Sequence, residues 1–409
     1  MRKAALLLAG AVAIMACPAR ADTGLPDPGA VAAALDAHPA VMAADARTAA
    51  SAAEAEALAR GPHEFTLSTG YLQRTVDREG RYNEYDATLS RSIRLPGKAS
   101  LDRQIGSAGL LAAQNQAEDF RHQTANLLAD QWWDWLAAAA EAQIDRQAVT
   151  NFSQMLATTQ RRVELRDAAR LEVDLAQASL GSAMLAAEQS AGRAEVARVR
   201  LVAQFPTLAL PASAPEIPLP ATDTFDIAEL GAKIVERSHE IAAADAESLK
   251  SGKLAERIRR DRIPDPSLGL RVFSERDSAE RGVGVVFSLP LGGGYRRALA
   301  DKASAEAGAA RAEAEAARFG VNQMATADMA EARFRHTAWQ RAREAVTAQV
   351  AALMKLRIGQ AAGEIDLADV LLAERQVHDA VRAEMAARAE AQRSLTRLRI
   401  DSHELWISD

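Results

Sequence analysis

Apolar and polar positions alternate in two pairs of short stretches, and each pair is followed by a helical pattern too long for a compact domain. In the first half, Phe65, Leu67 and Tyr71 share one side of a period of two. Tyr85, Ala87, Leu89, Ile93 and Leu95 share one side of the next, with Asp86, Thr88, Ser90 and Ser92 between them. In the second half Leu268, Leu270 and Val272 alternate with Ser267, Gly269 and Arg271. Val283, Val285, Phe287 and Leu289 then alternate with smaller or polar neighbours. Period two marks a strand with two unlike faces, and about ten residues suits a tilted strand crossing a bilayer. The pattern predicts strands near 64–74, 84–95, 266–275 and 281–290. Phe65, Leu67, Leu89, Val285 and Phe287 are expected to face lipid, and Thr88, Ser90 and Ser288 a lumen. The links around Asp77-Arg78-Glu79-Gly80 and Arg276-Asp277-Ser278 are charged, as hairpin turns in water would be.

The second strand of each pair ends in Leu-Pro: Leu95-Pro96-Gly97-Lys98, and Leu289-Pro290 before Gly292-Gly293-Gly294. Proline and glycine stop a strand and allow a sharp change of direction. Residues 97–164 and 296–357 then read as helices of about 100 and 90 Å at 1.5 Å per residue, lengths that imply a coiled coil or helical tube. Each long helix meets a turn and a returning helix. The first turn lies near Arg166-Asp167-Ala168-Ala169, before a helix over 171–204; the second runs from Gly359 to Gly363, before a helix over 365–400. Helices over 29–60 and 226–262 precede the strand pairs, and Ala43-Ala44-Asp45-Ala46 recurs within them as Ala243-Ala244-Asp245-Ala246. The chain is thus read as duplicated. Residues 22–205 form one repeat, 225–409 the other, and the proline-rich stretch 206–224 links them.

Residues 1–21 carry the marks of an export signal. Arg2 and Lys3 precede an apolar run over 4–16, and Ala19-Arg20-Ala21 offers a cleavage site before Asp22. A second reading takes Ile14-Met15-Ala16-Cys17 as a loose lipoprotein box, with Cys17 acylated. Cys17 is the only cysteine, so the exported chain has no disulfide and no thiolate zinc site. The net charge of −6 is mild and mixed, with no basic stripe, which argues against a nucleic-acid partner. Four strands cannot close a barrel, and open edges in lipid would leave backbone groups unpaired. Three copies giving four strands each would close one barrel of twelve.

The order helix, hairpin, long helix, turn, return helix, given twice, resembles the TolC family of outer-membrane efflux proteins over essentially the whole mature chain. The stretch 356–374, with Gly363-Glu364, Asp369-Val370-Leu371 and Ala373-Glu374, is similar to the family's pattern at the second helical turn. Arg170-Leu171-Glu172-Val173 resembles a form common in heavy-metal efflux members. The resemblance implies a mainly α fold with membrane β: long helical hairpins forming a periplasmic α-barrel, below a trimeric β-barrel of twelve strands. It implies a homotrimer in the outer membrane of a Gram-negative bacterium, in contact with its lipid. It also implies a periplasmic adaptor (a membrane fusion protein) and an inner-membrane RND pump as partners. The function implied is a passive duct for efflux, with heavy-metal cations as one candidate cargo. Asp369 holds the position where acidic residues line the family's periplasmic aperture. Leu372 stands where some members carry a second aspartate, which leaves Asp366 as a partial substitute. Arg166, Asp167, Gly359 and Gly363 fall at the two helical turns, the expected adaptor-docking tips.

Other chemistry is thin. None of the seven histidines lies three or four residues from another, so no helix presents a paired metal-ligand face. Trp132, Trp133 and Trp135 read first as packing between helices and second as a ligand-stacking site. Gly292-Gly293-Gly294 lacks the lysine and hydroxyl of a phosphate loop. No cofactor and no enzymatic centre are indicated. Rival readings keep the duct but change its cargo to drugs or a secreted polypeptide, or discard the pore for a periplasmic coiled-coil scaffold.

Overall fold

A computed structural model describes residues 24–221 and 225–407. The signal segment and Cys17 lie outside the described residues. The chain runs α1 (Pro28–Asp36), α2 (Pro39–Arg60), β1 (Phe65–Val76), β2 (Gly80–Ser92), α3 (Lys98–Glu164), α4 (Arg170–Gln204), α5 (Ile227–Glu236), α6 (His239–Arg260), β3 (Ser267–Glu275), β4 (Glu280–Ser288), α7 (Gly294–Ala361) and α8 (Leu367–Asp401). No helix among the described residues is long and apolar enough to cross a membrane.

The four strands form one antiparallel sheet in the order β1-β2-β3-β4. The two hairpins are joined through β2 and β3, with Leu89 opposite Leu270. β2 ends at Ser92, short of the predicted Leu95. The reason is local: the Leu95 N–H donates to Asp265 Oδ1 at 3.0 Å instead of to a neighbouring strand.

The single helices expected over 29–60 and 226–262 are each two. Pro39 has no N–H to continue a helix, and the Ala40 N–H donates to His38 Nδ1 at 3.3 Å. Ser238 breaks the second pair by capping α6, accepting from the Ile241 N–H at 3.2 Å. α7 also runs further than expected, through Gly359, so its turn is Ala362 to Asp366.

α3 and α7 contain 67 and 68 residues, about 100 Å each. Small side chains let them pack closely. Ala300, Ala303, Ala307, Ala310 and Ala314 are buried at alternating steps of three and four, the seam of a coiled coil. The largest core lies at the waist. There α1, α3, α4 and α8 enclose Leu35, Leu128, Trp133, Leu136 and Leu201, each nearly inaccessible. The connection after α4 is seated in the same core through Phe205, Leu208 and Ile217.

Candidate functional site

The sheet has two unlike faces. Strand pairing aligns Leu67, Leu89, Leu270 and Val285 in one row across all four strands. The neighbouring row on that face is Phe65, Arg91, Leu268 and Phe287. These apolar side chains are solvent-exposed in the single chain, Val285 reaching 73%. Arg91 interrupts the face only at its helix-proximal end, where its guanidinium lies 4.9 Å from the Phe65 ring and Nε donates to the His63 carbonyl. The opposite face carries Thr66, Ser68, Ser90, Thr88 and Asp86, with Leu72, Val76, Phe273 and Val286 as apolar exceptions. Arg74 pairs with Glu84 there at 2.6 Å, and Arg271 approaches Asp86 at 3.8 Å.

Beneath the sheet, buried charges lock the two halves together. Lys98 Nζ, on a side chain only 2% exposed, lies 2.8 Å from both Asp265 Oδ1 and Asp261 Oδ1. It also donates to the Ile263 carbonyl at 2.8 Å. His63 Nε2 is 2.9 Å from the other Asp265 oxygen. Burial pushes the Asp265 carboxyl up, but hydrogen bonds from Lys98, the Leu95 amide and His63 bring it down to about 2. Asp102 bridges Arg94 at 3.0 Å and Arg257 at 2.7 Å.

The far ends of the helical hairpins carry the residues singled out for docking and for the aperture. Arg166 and Asp167 form the first turn, with Asp167 Oδ2 2.9 Å from Arg162 Nε. Gly363 lies in the second turn at φ 79°. Gly359 does not share that role. It sits inside α7, and a Cβ there would meet Ile365 Cγ1 at 2.6 Å, so it serves close packing rather than an unusual backbone angle. Asp366 is the N-cap residue of α8, though its side chain makes no cap hydrogen bond. Asp369 is exposed in the first turn of α8, beside the buried Val370 and Leu371. Neither aspartate has an ion pair or side-chain hydrogen bond among the described residues. One helical turn further in, α3, α4 and α8 enclose a groove of about 410 Å³ walled by Phe152, Leu175, Leu371 and His378. Burial lowers the His378 pKa there.

The waist holds a cluster that spacing did not reveal. His239 stacks on His403 with ring centroids 4.9 Å apart, and His122 lies 5.7 Å from His403. His122 Nε2 is 2.8 Å from Asp401 Oδ1, which also accepts from Asn126 at 2.7 Å. Asp328 faces Asp401. Burial, first, and the Asp401 charge, second, raise Asp328 to about 6. These residues come from α3, α6, α7 and the end of α8, so only the fold unites them. No group of three or more His, Cys, Asp or Glu among the described residues is arranged to hold a metal ion. The tryptophans pack: Trp132 and Trp135 meet edge to face at 5.2 Å, and Trp133 donates to Thr396 Oγ1 at 3.0 Å.

No protein-family model and no curated protein matches the chain. Solved structures do. A membrane protein from Pseudomonas aeruginosa superposes with a TM-score of 0.77 at 18% identity, over 93% of this chain and 91% of that one. The outer-membrane channel OprN gives 0.72 at 20% identity, over 93% and 91%. The outer membrane protein VceC of Vibrio cholerae gives 0.73 at 17% identity, over 91% and 95%. Each superposition extends over more than nine-tenths of this chain, so the chain has the fold of these outer-membrane channel proteins.

Proposed function

We propose that the chain is the outer-membrane channel of a tripartite efflux system: a homotrimeric, passive duct that crosses the outer membrane and extends into the periplasm. The observation that carries this is the sheet. It has one apolar face, one mostly polar face and two unpaired edges, β1 and β4, and it stands on helices of about 100 Å. Pairing β4 of one copy with β1 of the next satisfies every strand when three copies close a twelve-stranded barrel. The apolar rows then face lipid and the Thr66–Ser90 side lines the passage. A coiled coil free in the periplasm has no use for an exposed row such as Leu67, Leu89, Leu270 and Val285.

The helical turns at Arg166–Asp167 and Gly363 form the periplasmic tips, where a membrane-fusion adaptor docks and links the duct to an inner-membrane RND pump. Asp369, with Asp366, lines the aperture at that end. Heavy-metal cations are the proposed cargo, on the likeness of Arg170-Leu171-Glu172-Val173 to metal-efflux members; a deletion strain sensitive to drugs but not to metals would transfer the duct to the other cargo.

Fractionation and planar-bilayer recording test the duct itself. The protein should appear in outer-membrane fractions as a heat-modifiable trimer and give discrete conductance steps. A monomer in the soluble periplasmic fraction would remove the proposal.

A further inference from the structure

We propose that the groove at the junction of sheet and helices binds the headgroup phosphate of an anionic phospholipid in the periplasmic leaflet. The inference rests on the reading of the sheet as a membrane-spanning barrel. The groove has a volume of about 600 Å³ and is lined by Arg259, Arg260, Arg262 and Arg297, with Ile263 and Pro96 among its apolar walls. No carboxylate lines it. Asp261 and Asp265, the nearest acids in sequence, are engaged by Lys98. Among the described residues, none of the four arginines has an ion pair or a side-chain hydrogen bond. Four guanidinium groups without a protein partner thus converge on one groove whose lining holds no carboxylate, an arrangement suited to an anion.

The backbone is shaped for it. A Cβ at Gly292 would meet the Arg262 carbonyl at 2.5 Å, so only glycine lets the two segments approach this closely. The N-terminus of α7 opens beside the groove with no side-chain cap and no acidic residue in its first turn. Its free N–H groups add to the attraction for a phosphate. Guanidinium groups match a phosphodiester with paired hydrogen bonds.

Position decides the source of the phosphate. β2 and β4 end at Ser92 and Ser288, and the groove lies just beyond them. Leu291 and Tyr295 beside it are 89% and 77% exposed. An apolar residue, a tyrosine and a cluster of arginines at the end of membrane strands describe the headgroup level, where an acyl chain and its phosphate part company.

The full-length trimer in non-ionic detergent can be titrated with phosphatidylglycerol or phosphatidylcholine and examined by native mass spectrometry. The wild type should retain phosphatidylglycerol preferentially. Combined Arg259→Gln, Arg262→Gln and Arg297→Gln should lose that preference, at about fivefold per arginine, while lysine at the same positions should keep most of it. Arg297→Gln alone, on a different helix, should lose about fivefold and carries the test if the combined variant forms no trimer. No preference in the wild type, or an unchanged preference in the variants, overturns the proposal. Displacement of the lipid by inorganic phosphate alone would reassign the groove to a soluble anion. Channels that open in pure phosphatidylcholine bilayers without any lipid preference would sink this inference only. Failure to enter bilayers of any composition would sink the membrane reading instead.

Discussion

Arg166 and Gly363 occupy the same place in the two helical turns, with φ of 61° and 79°. The N–H of each bonds to the carbonyl three residues back. The next N–H, of Asp167 or Glu364, reaches five residues back at 2.8 or 2.9 Å. Both turns are therefore the same helix-ending motif, but only the second has glycine at its left-handed position. A side chain there costs about 1–2 kcal/mol. Arg166→Gly should relieve that strain, less the extra freedom glycine gives the unfolded chain, for a net gain of up to about 1 kcal/mol. Gly363→Val should lose about 2 kcal/mol and abolish efflux with the trimer intact, if the tip docks the adaptor. Thermal melting of the trimer reads the first effect and drug or metal susceptibility the second. A wild-type efflux phenotype in Gly363→Val would take the tip out of the mechanism.

Lys98 is the keystone of the junction. Removing its charge leaves the mostly buried Asp265 carboxylate with only His63 and the Leu95 amide, while Asp261 keeps Arg257, so Lys98→Met should cost about 3 kcal/mol. The same site sets an acid limit. Asp265 has a folded pKa of about 2 against an ordinary value of 3.8. Its contribution is complete above pH 4 and is lost as pH falls from there toward 2. Trimer melting followed down this range should steepen in the wild type and flatten in Asp265→Asn. Identical acid profiles would show that other carboxylates dominate.

Leu89 and Ser90 stand side by side on opposite faces of β2, and the proposed barrel would put them at the same height in the membrane. Leu89→Arg places a charge in lipid and should cost about 2–4 kcal/mol if it lies near the midplane. Ser90→Arg points into the passage and should assemble normally while altering conductance. Urea titration of the folded barrel in vesicles would compare them, and equal losses would overturn the assignment of faces.

The strands were legible because a two-sided sheet writes a period of two into the sequence, and Leu67, Leu89, Leu270 and Val285 keep that period in separate stretches. The long helices were legible through the absence of proline. The break before α2 is hidden even though Pro39 marks it, because the alanine-rich pattern on either side reads as one helix. Gly359 reads as a turn residue because glycine tolerates unusual backbone angles, whereas it lies inside α7 in close approach to Ile365. Long-range partnerships left no trace in spacing. His122, His239 and His403 are far apart in sequence, and Lys98 meets Asp265 across 167 residues. The arginine groove is half visible in Arg259, Arg260 and Arg262, but Arg297 reaches it only through the fold.

The Asp328–Asp401 pair predicts a response at milder pH. Asp328 is raised to about 6 in the folded chain, so between pH 4 and 6 the native state holds a proton that the unfolded chain has released. Stability therefore falls as pH rises through that window. When protonated, Asp328 can donate to Asp401, whose carboxylate is held charged by His122 and Asn126. Asp328→Asn keeps that donor at every pH. It should raise the melting temperature at pH 7 and have little effect at pH 4. A uniform shift at both values would mean that packing, and not titration, governs the site.

If the hairpin tips form the proposed periplasmic aperture, Asp369 should bear on its selectivity. It is exposed on the first turn of α8, where the helix N-terminus favours a negative charge. No ion pair or side-chain hydrogen bond among the described residues engages it. In a trimer, three-fold symmetry brings three copies around one axis, and a ring of carboxylates at a constriction attracts cations. Packing supports the orientation: Val370 and Leu371 turn into the hairpin core, which leaves Asp369 on the other side of the helix. Leu372 is 45% exposed and carries no charge, so such a ring would be single at that level, with Asp366 at the N-cap just before it. Single-channel recording in planar bilayers separates the two aspartates. Asp369→Ala should lower cation preference and weaken block by divalent cations added from the periplasmic side, and Asp366→Ala should do so less. If only Asp366→Ala changes selectivity, the constriction lies at the turn itself. If neither does, both residues are solvated helix-end carboxylates and the aperture draws its charge from elsewhere.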